Sequence, residues 1–176
     1  MRRPIEAGIH LGGPAEEDSA DTRLRDALRE AASRWASGVA VVAVRDGDGF
    51  EAITVTSFIT ASLDPPTVVV SIGRQAAIVP LLDSAGRWSL SVLASDQRRA
   101  ASMIADRVLG VRSLFTPDPD PVLREALHSL VCATEAVHPA GDHRLYVARV
   151  ERIVPGRDTA PLLYHGRGFA RLAGDD

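Results

Sequence analysis

Ile53-Thr54-Val55-Thr56-Ser57-Phe58-Ile59-Thr60-Ala61-Ser62-Leu63-Asp64-Pro65-Pro66 decides how this chain is built. Its opening residues are β-branched, apolar or hydroxyl-bearing and predict a strand over residues 53–59. Pro65 and Pro66 carry no backbone N–H for a sheet ladder, so residues 63–66 are expected to form a rigid loop. Upstream, the apolar residues 39–44 predict a strand joined to this one by Arg45-Asp46-Gly47-Asp48-Gly49, whose glycines and aspartates suit a hairpin. Downstream, residues 67–72 predict the next strand.

Further out, Leu24, Leu28, Ala31, Ala32 and Trp35 recur at helical spacing from Thr22, with Asp21 or Thr22 as cap and Gly38 as stop. Residues 76–84 and 96–108 are expected to be helical, and Trp88-Ser89-Leu90-Ser91-Val92 alternates as a half-buried strand does. Thr116-Pro117-Asp118-Pro119-Asp120-Pro121 predicts a surface loop. Strands follow at 130–137 and 144–153, hinged by His138-Pro139-Ala140-Gly141-Asp142-His143, then a short strand at 162–164 and a glycine-rich tail. Six or seven short strands at hairpin-like spacing, with helices at the start and middle only, imply a mainly β antiparallel barrel rather than a doubly wound parallel sheet.

With 176 residues and 45% hydrophobic composition the chain suits one domain with its own core. Twenty basic against 23 acidic residues, net −3, give no electrostatic reason to expect nucleic acid or an anionic membrane as partner. The single cysteine, Cys132, lies in the apolar run Leu130-Val131-Cys132-Ala133, which excludes an intrachain disulfide and points to a buried thiol in a cytoplasmic protein. Apolar runs fall short of the roughly 20 residues that span a bilayer. Residues 1–20, with Pro4, Gly12, Gly13 and Pro14 and no long apolar core, are expected to be a flexible extension rather than a secretory signal, leaving 21–176 as the domain.

No dinucleotide-binding GxGxxG, phosphate-binding GxxxxGK, HExxH, CxxC or GxSxG pattern occurs. His10, His128, His138 and His165 lack ligand spacing, so no metal site is expected. Thr54, Thr56 and Ser57 either offer hydroxyl and backbone donors to a ligand or simply suit a strand surface. His143, entering a strand behind Gly141-Asp142, either orients a ligand or is satisfied by Asp142. Tyr164 and Phe169 are open to both pocket wall and core.

In order and interval, several stretches resemble the flavin reductase-like family, the small partners that supply reduced flavin to two-component monooxygenases. They are Ser37-Gly38-Val39-Ala40-Val41-Val42, residues 53–58 leading into Ala61-Ser62-Leu63-Asp64-Pro65-Pro66, Asp83-Ser84-Ala85-Gly86-Arg87-Trp88-Ser89-Leu90-Ser91-Val92-Leu93, Gly141-Asp142-His143, and Pro161-Leu162-Leu163-Tyr164. The resemblance implies a Greek-key split β-barrel of the FMN-binding kind with flanking helices. It also implies FMN or FAD as flavin, NADH or NADPH as co-substrate, a homodimer, and a monooxygenase partner reached by diffusion of reduced flavin. By the same resemblance Thr54, Val55, Thr56, Ser57, Ala61 and Ser62 hold the isoalloxazine, Tyr164 lies at the pocket, and His143 aligns the nicotinamide. The hydride passes between cofactors, so the protein's task is stacking and alignment.

The resemblance fails after the third strand, where relatives place small polar residues for the flavin phosphate. Here the stretch reads Gly73-Arg74-Gln75-Ala76-Ala77-Ile78, and Ile104 stands where relatives carry phenylalanine. Arg74 still offers charge-assisted bonds, about 1.5–3 kcal/mol each, with Gln75 beside it. Two readings follow: a reductase that treats flavin as a diffusing substrate, or a barrel that has lost tight flavin binding and serves as a non-redox enzyme or small-molecule binding module.

Overall fold

A computed structural model describes residues 14–172 apart from Leu109 and Asp118. His10, the first 13 residues of the expected extension and the last four of the tail lie outside the described residues. The chain divides into two compact units, Met1–Trp35 and Ala36–Asp176.

The first unit contains helix α1, Pro14–Ser33. It begins earlier than the Thr22 start read from the apolar spacing. The helix also ends before Gly38, tightening through Arg34 N–H to Ala31 O and Trp35 N–H to Ala32 O, both 3.1 Å. Gly38 belongs instead to strand β1, Ser37–Gly38.

In the second unit the strands β2 (Ala40–Asp46), β3 (Gly49–Val55), β4 (Ile59–Leu63), β5 (Pro66–Gly73), β6 (Arg87–Val92), β7 (His128–Ala140) and β8 (His143–Pro155) form one sheet. Their order is β3-β2-β6-β7-β8-β5-β4, every pair antiparallel. The two edge strands, β3 and β4, are consecutive in the chain and separated only by residues 56–58. Four Cα steps reach about 14 Å at most, so the sheet must roll until the end of β3 comes close to the start of β4, at a seam. This is the split barrel, mainly β as expected. The strand expected over 53–59 is therefore two strands, broken at the seam.

The expected rigid loop at 63–66 is also tighter than read. Leu63 and Pro66 pair across a turn of Asp64 and Pro65, whose peptide bond is cis. Proline is tolerated as the first residue of a strand, which is how Pro66 enters β5.

β2 explains why residues 39–44 are apolar without a break: it is buried on both faces. Ala40, Val42 and Val44 point into the barrel with Val70, Ile72, Trp88, Leu90, Cys132 and Tyr146. Val39, Val41 and Ala43 face a second core with Leu93, Ala101, Ile104, Phe115, Leu123 and Leu162. Helix α2, Val79–Ala85, contributes Val79 and Leu82 to the barrel core, and helix α3, Arg98–Ala105, contributes Ala101 and Ile104 to the second. Both are shorter than the periodicity suggested. The segment 116–121 is less peripheral than expected, because Pro121 O accepts from the buried Ser89 Oγ at 2.6 Å. Two short strands, β9 (Leu163–His165) and β10 (Gly168–Ala170), complete a small sheet ordered β1-β9-β10. No helix among the described residues is long and apolar enough to cross a membrane.

Cys132 is fully buried. Burial first, and the nearby Glu151 charge second, push its thiol up to about 12. Since only the thiolate reacts, a disulfide-exchange reagent at neutral pH is expected to modify no thiol in the folded protein and one after denaturation. Labelling of the native protein within minutes would contradict the buried placement.

Candidate functional site

The expected site residues separate into groups. At the seam, Thr54 Oγ1 donates to Ala101 O on α3 at 2.9 Å, so this hydroxyl ties β3 to the helix. Ser57 Oγ donates to Ser71 O at 2.7 Å and accepts from Ser71 N–H at 3.2 Å, standing in for a ladder partner where the chain crosses from β3 to β4. Ser62 Oγ accepts from Asp64 N–H at 3.2 Å. Val55 turns its side chain into the barrel core. Thr56 and Ala61 are exposed. Three of the four hydroxyls in this stretch of the expected site are thus engaged within the protein, and what the seam offers a ligand is chiefly backbone and Thr56.

Tyr164 stands apart in the second core, 5.9 Å from Phe169 ring to ring and near perpendicular to it. Its neighbours there are the strands β1 and β10.

Arg74, Gln75 and His143 come together. They line a cavity of about 300 Å³ with Gly73, Ala76 and Asp142, where β5 ends and β8 begins. The local cause is a two-residue hairpin turn: Ala140 pairs with His143, and Gly141 takes φ +58°. Positive φ at the first turn residue matches the right-handed twist of the strands and is open to glycine at no steric cost. Asp142 is thereby set at the tip and His143 at the first position of β8, opposite Gly73.

His143 Nδ1 lies 2.7 Å from Asp142 Oδ1. Against a carboxylate Nδ1–H donates, which leaves Nε2 as the ring nitrogen not engaged by Asp142. That hydrogen bond, then the His143 charge, holds the Asp142 carboxyl below its usual range. A Cβ placed on Gly73 would sit 3.9 Å from Nε2, so the imidazole lies over Gly73 with room beside it. Arg74 N–H donates to Asp142 O at 2.9 Å, which fixes the start of the loop, while the Arg74 and Gln75 side chains are exposed at the cavity mouth.

The spacing of single residues had not singled out the cluster behind this cavity. Asp83, on α2, accepts from Tyr146 Oη at 3.0 Å and pairs with Arg144. Tyr146 is fully buried, and burial, followed by its hydrogen bond to Asp83, pushes its hydroxyl up to about 12. The available signal was the adjacency of Arg144 to His143 and the alternation that puts Tyr146 on the same face.

Fold and cavity define a class: an antiparallel split barrel with a small cleft at one end, furnished with a cation, an amide and an imidazole. The model of the flavin reductase like domain matches residues 32–173, and the chain belongs to this family. It is 36% identical over 149 residues to the reductase component of 4-hydroxyphenylacetate 3-monooxygenase from Thermus thermophilus, covering 85% of this chain and 97% of that protein. It is 37% identical to an NADH-dependent flavin reductase of Rhodococcus sp, covering 82% and 85%. Among solved structures, the flavin reductase component of a bacterial two-component tryptophan halogenase superposes with a TM-score of 0.77 at 32% identity, covering 84% of this chain and 98% of that one.

The donor set fits the anionic end of a flavin. Arg74 and Gln75 provide donors at the mouth, and the one carboxylate lining the cavity, Asp142, is already engaged by His143. About 300 Å³ is at the lower limit for a small-molecule site, so the cleft suits part of such a ligand rather than all of it.

Proposed function

We infer that this protein is an NAD(P)H-dependent flavin reductase that reduces FMN or FAD and releases it to a flavin-dependent monooxygenase. The observation that carries this reading is the convergence of Arg74, Gln75 and His143 on one cleft, in a chain of the flavin reductase like family. A bound flavin supplies the hydride acceptor. Arg74 and Gln75 hold its phosphate, the backbone at Thr54, Val55, Thr56 and Ser57 and at Ala61 and Ser62 faces its ring, and His143 aligns the nicotinamide through Nε2. Tyr164 reaches such a ligand only as a wall contributed from the second core. NADH is the expected donor, in keeping with the Rhodococcus relative.

The reading includes a homodimer in the cytoplasm, with residues 21–176 as the reductase domain. β4 is an edge strand with Ile59 59% and Leu63 84% exposed, and an apolar edge of this kind calls for cover by another chain.

The test is oxidation of NADH and NADPH by the purified protein, with and without added FMN or FAD, beside a flavin fluorescence titration. Flavin-dependent oxidation is expected. Absence of both turnover and binding would overturn the reading and leave a barrel with another ligand.

A further inference from the structure

The segment 74–82 is held at its two ends by neighbouring residues of one strand. It leaves β5 at Gly73, which pairs with His143, and it returns at Asp83, which pairs with Arg144. Between these anchors Ala76 N–H bonds Gly73 O and Val79 N–H bonds Ala76 O, both 3.0 Å, and Val79 and Leu82 sit in the barrel core. Arg74 and Gln75 ride on this closed segment and His143 on the strand that closes it.

We propose that Asp83 is a positioning residue for flavin phosphate, fixing α2 to β8 through Arg144 and Tyr146 so that Arg74 and Gln75 are held against His143. The proposal rests on the reading of Arg74 and Gln75 given above. Asp83 reaches no ligand in this scheme, since its carboxylate is occupied on one oxygen by Tyr146 Oη and on the other by Arg144. Its effect comes from preorganisation: a loop already ordered in its binding conformation spends less of its interaction energy on ordering.

The consequence is selective. Riboflavin has the same ring as FMN and no phosphate, so loosening the segment weakens FMN and spares riboflavin. A defect in the barrel as a whole weakens both alike.

Fluorescence titrations of FMN and of riboflavin with the full chain, and with Asp83→Asn, read this difference. The FMN dissociation constant is expected to rise about tenfold, with riboflavin changed less than about twofold. Equal shifts for both flavins, or none for either, would overturn the proposal. Should Asp83→Asn fail to fold, Arg144→Gln removes the same ion pair from the other side and is expected to give the same selective loss. Arg74→Gln tests the underlying reading separately. If it leaves the preference for FMN over riboflavin intact, Arg74 does not hold the phosphate. If it removes that preference while Asp83→Asn and Arg144→Gln keep it, Arg74 binds and Asp83 does not position.

Discussion

Gly156→Ala is expected to destabilise the folded chain by about 3 kcal/mol, although the residue is exposed. A Cβ there would lie 2.0 Å from Ala126 O and 2.6 Å from Leu127 O, both backbone atoms. No side chain can swing aside to relieve that overlap. Ala126 O also accepts from Arg157 N–H at 3.0 Å, and Leu127 N–H donates to Val92 O at 2.9 Å, so moving either peptide breaks a hydrogen bond next to the sheet. In a domain of this size the loss corresponds to roughly 6–12 °C in melting temperature. The measurement is urea unfolding of both proteins, in which the midpoint falls and the slope stays. A loss under about 0.5 kcal/mol, the level of an ordinary surface change, would show that the close approach is relaxed. Gly49 makes a useful contrast, because its added Cβ meets first the guanidinium tip of Arg112, the far end of a flexible side chain.

That Gly156 matters could not be read from its neighbours in sequence, since the crossing backbone comes from residues about 30 positions earlier. The same division holds elsewhere. Although the six-residue hinge expected over 138–143 closes to a two-residue turn, with β7 running to Ala140 and β8 starting at His143, β2, the Trp88 strand and the two long strands β7 and β8 were legible because each is set by local pattern, whether continuous apolarity or alternation. The break at residues 56–58 was not. Thr56-Ser57-Phe58 has the composition of a strand, and what interrupts it is the rolling of the sheet together with a hydrogen bond to Ser71, 14 residues away. β1 and β10 escaped notice because two or three residues carry no period, and they exist only as partners of β9.

The site divides along the same line. His143 and Arg74 were reached from residue type and resemblance, and the structure sets both on one cleft. Thr54 and Ser57 stood open between a ligand and the strand surface, and Ser62 was set at the ligand by resemblance alone, because a hydroxyl advertises a proton without saying who takes it. Here the takers are Ala101 O and Ser71 O, while Ser62 accepts from Asp64 N–H. The Asp83–Arg144–Tyr146 cluster needed the register of β8 and the position of α2, neither of which is local.

His143→Ala is expected to lower kcat/KM for the nicotinamide about a hundredfold while leaving flavin affinity within about twofold. The ring lies over Gly73 with Nδ1 held by Asp142, so Nε2 is the atom available to a ligand in the cleft. Alignment of two stacked rings is sensitive to displacements of an ångström, which is why loss of one orienting contact is costly in rate and not in flavin binding. The pair also has a defined acid limit. Its folded carboxyl is depressed, so the tie to Nδ1 is fully present above the ordinary carboxylate range and is lost as pH falls through the lowered folded value. Asp142→Asn keeps a side-chain oxygen for Nδ1–H but removes the charge, and it is expected to fall between the native protein and His143→Ala. Steady-state oxidation of NADH at saturating flavin, beside flavin titrations of each variant, separates the two effects. Full turnover by His143→Ala with unchanged flavin affinity would reduce the imidazole to a hairpin-end residue satisfied by Asp142.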